Sequence, residues 1–328
     1  MVKNNPEDAD VQALLALLDR QKITYALAGE QQVRGLSGYS YQRQQQEPVQ
    51  IAANDILITA YQPQSSLLRV LMEPETFLAD SMTYDLTAWA LPYVYDVEAW
   101  ALKDRLQPAG QYQSGFQENN IDPERPYAWF AEWNSFRDVK LLAQLLEKGV
   151  RVRFAEEPFT AAGKSFGRGS LVITAFDNRH LQERFDTLVV HTANQLQKTL
   201  YASETGLSQT GKDLGSSAVS FIHKPRVAIV AGNGTSPTAV GEIWYYFEEE
   251  LQYPATMLHT EYLQRANLQE FDVVMLPSGN YENFREQLME FARGGGKVIA
   301  IERAVNTFTS GGETLLAQMK AVRAIKEV

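Results

Sequence analysis

Cysteine is missing from this sequence altogether, and histidine is scarce, with four in 328 residues. The first absence excludes disulfides, thiolate metal sites and a cysteine nucleophile together. The second leaves little for a histidine-based metal centre. His180 and Glu183 have the His-x-x-Glu spacing of a zinc pair, but His191, His223 and His259 supply no third ligand in a supporting arrangement. No metal and no cofactor is expected. Excess positive charge is lacking as well. The formal charge is −10 and the pI is near 5.1, and no basic stripe is present to neutralise phosphates, so nucleic acid is not an expected partner. No apolar run reaches the ~18 residues of a membrane-spanning helix, so no membrane span is expected. The opening Met1-Val2-Lys3-Asn4-Asn5-Pro6 has no apolar signal-peptide core, which fits a cytosolic chain or a piece excised from a longer one.

What the sequence does contain is enough apolar material, 45% against 21% charged, for a globular chain of roughly two domains. Its organising stretch is Lys224 to Val305. There Val227-Ala228-Ile229-Val230-Ala231, Pro254 to Leu258, Asp272 to Leu276 and Val298 to Ile301 are short apolar runs separated by helix-length segments. That alternation predicts βαβ units feeding a parallel sheet. The intervening helices are Gly241 to Leu251, with Ile243, Trp244, Phe247 and Leu251 facing in and the glutamates facing water, and Glu282 to Arg293, closed by three glycines. Ligands of such sheets sit beyond the carboxyl ends of the strands. The candidate ligand-binding residues are therefore Gly232, Asn233, Gly234, Gly279, Asn280, Glu302 and Arg303.

The first part, 1–205, reads as two diverged copies of one α/β unit, about 8–80 and 136–190. Val11, Leu14, Leu15 and Leu18 form a helical apolar face followed by a strand-like Ile23 to Ala28, and a shift of 127 positions lays this on Leu141, Leu142, Leu145 and Ala155. A shift of 115 lays Asn54 to Ala60 on Gly169 to Ala175. The difference falls in the polar Gly29 to Glu47 segment, expected to be a surface-loop insertion. The aromatic stretch Tyr84 to Tyr95 is expected to be a buried helix ending around Pro92, with an aromatic binding wall as the alternative. Low apolar periodicity from Ser203 to Ser217 marks the boundary, making 206–328 the second domain.

Two phosphate-like motifs are weak. Gly163-Lys164-Ser165 ends like a phosphate loop but has Pro158 where its first glycine belongs, and Gly232-Asn233-Gly234 lacks a third glycine at Pro237, so a tight turn is expected. Pro277-Ser278-Gly279 and Ile301-Glu302-Arg303-Ala304 tell more. With the strand order they resemble the class I glutamine amidotransferase fold, where the first turn supplies oxyanion donors and the second carries a cysteine on a sharp elbow. The resemblance implies a three-layer αβα, flavodoxin-like fold with a mostly parallel sheet, truncated at its C-terminus. It also puts Glu302 where the nucleophile stands, and a carboxylate cannot do a thiolate's work. No catalytic residue is assigned.

A longer resemblance rests on Ala60-Tyr61-Gln62-Pro63, Tyr84-Asp85-Leu86-Thr87-Ala88-Trp89-Ala90-Leu91-Pro92, Gly211-Lys212-Asp213-Leu214-Gly215-Ser216 and Gly241-Glu242-Ile243-Trp244-Tyr245. These strings are similar to the region that follows the catalytic domain in large bacterial zinc carboxypeptidases. The resemblance implies a non-catalytic module of a secreted or periplasmic parent. Its partners would be the upstream peptidase domain and a peptide ligand, with no zinc ligand carried over. Two other readings stay open: an independent ligand-binding domain using the strand-end crevice, and an amidohydrolase with Glu302 as base.

Overall fold

In the computed structural model, residues 1–4, 9–30, 33, 35–74, 90–113, 116–121 and 125–309 are described. The chain is a mixed α/β protein of two compact units, Met1–Glu118 with Asn134–Arg137, and Asn119–Trp133 with Asp138–Val328. Among the described residues no helix is long and apolar enough to cross a membrane.

The first unit runs α1 (Ala9–Arg20), β1 (Ala26–Leu27), β2 (Ser37–Ser40), β3 (Gln45–Pro48), β4 (Ile56–Leu57), α2 (Ser65–Met72), α3 (Leu91–Val94) and β5 (Trp100–Leu102). Helix α1 buries Val11, Leu14, Leu15 and Leu18 against Ile23, Ile56, Leu68 and Val97, the face that the periodicity predicts. The Gly29 to Glu47 segment is not a plain surface loop. Its second half is a β2–β3 hairpin turned at Gln44 (φ 52°) and paired through β2 with β5 in a three-stranded antiparallel sheet. It is held there because Tyr41 is buried beside the ring of Tyr93, at 5.3 Å. Pro92 lies in the first turn of α3, where a residue without an N–H loses nothing. Half of the Tyr84 to Tyr95 stretch, residues 84–89, lies outside the described residues.

The second unit continues with β6 (Ala128–Ala131), α4 (Phe136–Glu147), β7 (Val152–Ala155), β8 (Phe159–Ala161), β9 (Lys164–Phe166), β10 (Leu171–Thr174), α5 (Arg184–Gln195), β11 (Tyr201–Ser203) and β12 (Val219–Ile222). Five of these strands form an antiparallel sheet in the order β11-β6-β10-β7-β12. Strand pairing can be compared at the positions related by the two sequence shifts. Leu27 pairs with Ile56 and Ala26 with Leu57; their counterparts at the two shifts, Phe154 with Leu171 and Arg153 with Val172, pair the same way. A one-residue slip would turn every side chain to the other face; the register is the same in these two pairs. The Gly163-Lys164-Ser165 motif sits on the β8–β9 hairpin, with Ala162 (φ 50°) and Gly163 (φ 73°) making the left-handed turn. Lys164 is committed there, donating to the Tyr201 hydroxyl at 2.7 Å and paired with Glu132 at 3.1 Å.

The same unit ends in β13 (Val227–Ala231), α6 (Pro237–Tyr245), β14 (Ala255–His259), α7 (Thr260–Leu263), β15 (Val273–Leu276), α8 (Arg285–Arg293) and β16 (Lys297–Ala300). Its four strands are all parallel, in the order β14-β13-β15-β16. One sheet face buries Ala228, Val230, Val274 and Leu276 under Leu263, Leu288 and Phe291. On the other, Val227 shares a core with Leu251, Tyr253 and Ala143 of α4, so the sequence position expected as a boundary, near 205, falls within one unit. Trp244 does not face in; it is 43% exposed. After Tyr245 the helix widens into π turns, Tyr246–Leu251, and the i→i+5 bonding rotates the apolar face away from a strict 3.6 period. The left-handed glycine that closes α8 is the middle one of three, Gly295 (φ 98°).

Candidate functional site

The carboxyl ends of the four parallel strands converge on one crevice. Strand β13 runs into Gly232 (φ 107°) and Gly234 (φ 87°), where a Cβ is strained. The turn is closed by Thr235, whose N–H and Oγ1 both donate to the Gly232 carbonyl, at 3.1 and 2.7 Å. Ser236 then caps α6, accepting from the Ala239 N–H at 3.4 Å, and Pro237 takes the first turn. The loop after β15 locks onto this turn. Ser236 N–H donates to the Ser278 carbonyl at 2.8 Å and Asn280 N–H to the Gly234 carbonyl at 3.0 Å. Beneath them the fully buried Tyr281 donates to the Pro277 carbonyl at 2.8 Å. Burial raises its phenol pKa well above the ordinary value.

Two cavities open over this clamp. One, of about 480 Å³, is lined by Ser236, Ser278, Asn280, Glu282, Arg303 and Thr307 among others. The second, of about 460 Å³, is lined by Asn233, Thr260, Glu261 and Phe284 and shares Gly234, Asn280 and Glu282 with the first. Arg303 is exposed and has no ion-pair partner among the described residues. Asn233 Nδ2 donates to Glu261 Oε1 at 3.4 Å. Thr260 is 6% exposed, and its Oγ1 is buried without a hydrogen-bond partner. It faces the β13 turn, because a Cβ built on Gly232 would stand 3.0 Å from that oxygen.

Of the residues predicted from the sequence, Gly234, Gly279, Asn280 and Arg303 line the first cavity and Asn233 the second. Gly232 shapes the turn, and Glu302 lines neither cavity. Glu302 does hold an unusual backbone, with φ 52° immediately after β16. The amidotransferase resemblance expects an elbow at this position, and a non-glycine residue with this φ is strained. Glu302→Gly is expected to raise stability by about 1 kcal/mol, read as a higher urea midpoint at unchanged m-value; a lowered midpoint would mean that the carboxylate makes a contact worth more than the strain.

Sequence reasoning missed Thr260 and Glu261 because β14 ends without glycine or proline to punctuate it, and Glu282, Asn306 and Thr307 because they lie two or more residues past the strand ends. A question asked of every residue up to seven positions past each strand end would have found them. Histidine is not gathered here: His180 is spent on the Gly149 carbonyl, 2.9 Å from its Nε2, and among the described residues no group of three or more His, Asp and Glu is placed to hold a metal ion.

A larger cavity, of about 880 Å³, lies in the first unit and is lined by Tyr41, Leu68, Met72, Trp100 and Arg105. Its wall includes Glu73 and Pro74, beyond which the chain passes outside the described residues, so its shape does not define a binding site. What the strand-end geometry defines is a class of site: a polar crevice on a parallel α/β sheet, built from four strand-end loops. Compared with protein-family models, curated proteins and solved structures, the chain matches none.

Proposed function

We propose that this chain is a non-catalytic α/β module that binds a small polar ligand in the crevice over β13 to β16. The observation that carries this reading is the convergence of Ser236, Asn280, Glu282 and Arg303 on one cavity while the elbow that could hold a nucleophile holds Glu302. Polar groups fixed in a concavity orient and select a ligand; a carboxylate at the elbow supplies no covalent chemistry of the cysteine type. The parallel order β14-β13-β15-β16 supports a flavodoxin-like, amidotransferase-like reading of this region. The strings similar to the zinc carboxypeptidase region support an accessory role beside a peptidase domain in a secreted or periplasmic parent.

A thermal-shift panel of peptides, amino acids, sugars and nucleotides tests the binding claim, because a ligand that binds only the folded state raises the melting temperature, by about 2.7 kcal/mol of added stability at one hundred times Kd. At least one class is expected to shift the transition, and a flat panel would count against the crevice. With zinc and C-terminal peptide substrates the same protein is expected to release no amino acid; zinc-dependent release would overturn the non-catalytic half of the reading.

A further inference from the structure

We propose that the crevice takes a short peptide by its two free ends, the C-terminal carboxylate at Arg303 and the start of α6, the N-terminal ammonium at Glu261 and Glu282. This rests on the small-ligand reading above and names its ligand class. The two joined cavities carry opposite charge. Arg303 and the N-terminal turn of α6, a helix of nine residues capped by Ser236, favour an anion in the first. Glu261 and Glu282 line the second. A simple anion would gain from Arg303 but meet Glu282, which lines both cavities; a simple cation would gain from the glutamates but meet Arg303. Only a ligand with both charges, separated, is favoured throughout.

Size points the same way, since each cavity falls within the ~300–1,000 Å³ that houses a drug-sized ligand. The buried Thr260 hydroxyl is the independent sign of a missing partner. A buried hydroxyl without a hydrogen bond is costly, and this one belongs to a wall residue of the carboxylate-lined cavity with its oxygen turned to the β13 turn, so a peptide N–H or C=O reaches it where binding shifts that turn.

Calorimetric titration of the full chain with Ala-Ala-Ala, its N-acetyl form and its C-terminal amide tests the proposal. The free tripeptide is expected to bind, and either block to weaken binding about tenfold or more, the usual scale of a charge-assisted hydrogen bond. In Arg303→Gln the amide is expected to bind as well as the free peptide while the acetyl form still binds poorly; Glu261→Gln is expected to do the reverse. Both side chains are exposed, so these variants should melt like the parent. Thr260→Val is expected to raise the melting temperature of the free protein and lower peptide affinity together, a pairing that a merely structural threonine would not give. Equal binding of blocked and free peptides, or inorganic phosphate binding as tightly as the tripeptide, would overturn the proposal. If tripeptides do not bind but a sugar or nucleotide does, the peptide inference fails and the small-ligand reading stands; silence from every probe overturns both.

Discussion

Phe166→Ala is expected to cost the second unit about 3–5 kcal/mol, the range for deleting a fully buried aromatic ring. Phe166 is 1% exposed and sits at the hub of a ring cluster, stacked on Phe159 at 5.0 Å and in contact with Phe130 at 5.1 Å and Tyr201 at 5.5 Å. The loss therefore combines buried area, several edge and stacking contacts, and a cavity that three flanking rings are too rigid to fill. These rings attach the β8–β9 hairpin to the five-stranded sheet, through Phe130 on β6 and Tyr201 on β11. For a unit of this size the shift is on the order of 10 °C in melting temperature. Phe176→Ala removes the same side chain from a site that is 61% exposed and is expected to cost well under 1 kcal/mol. Calorimetric melts of the two variants beside the parent decide the matter. If the two cost the same, Phe166 is not the anchor its burial makes it.

That hairpin also shows how far the sequence could be read. Pro158, standing where a phosphate loop needs glycine, was reason enough to doubt Gly163-Lys164-Ser165, but nothing local in the sequence revealed that Lys164 would reach Tyr201 and Glu132. Helix α1 and the four parallel strands were legible because period is a local property: 3.6 for Val11, Leu14, Leu15 and Leu18, and short continuous apolar runs for β13 to β16. The β2–β3 hairpin was not, because Ser37 to Pro48 is polar and short, and its burial depends on Tyr41 meeting Tyr93 across 52 residues of chain. Trp244 was misplaced for a related reason. A π turn at Tyr246 to Leu251 changes the period within one helix, and no residue type announces it. In the crevice, the glycine-rich loop after β13 and the glycine after β15 were visible as punctuation, whereas Thr260 and Glu261 follow β14 with none. Opposed charge across two cavities is a property of how loops converge in space, so the sequence could show Arg303, Glu261 and Glu282 but not their division between two sides of one crevice.

Gly279→Ala is expected to destabilise the chain by about 1–3 kcal/mol and to abolish the ligand response of the crevice. The position is instructive because its backbone is not of the kind reserved for glycine: Gly232 and Gly234 have positive φ and Gly279 does not. The cost must come from space. A Cβ there would stand 2.7 Å from the Gly234 carbonyl oxygen and 3.1 Å from the Thr235 Cα, and both are backbone atoms that cannot turn aside as a flexible side chain would. Relief requires parting the β13 and β15 loops, which strains the Ser236 to Ser278 and Asn280 to Gly234 hydrogen bonds of 2.8 and 3.0 Å and moves Asn280 and Ser236 relative to each other. Overpacking of this kind typically costs 1–3 kcal/mol. Gly241→Ala is the contrasting variant: it lies within α6 with nothing within 4 Å of a new Cβ, and alanine there is expected to stabilise by roughly 0.5–1 kcal/mol through helix propensity. Urea melts should therefore move in opposite directions for the two substitutions, and only Gly279→Ala should lose the ligand-induced shift. A Gly279→Ala protein with parental stability would mean that the two loops part easily, and then the clamp could not hold a preformed crevice.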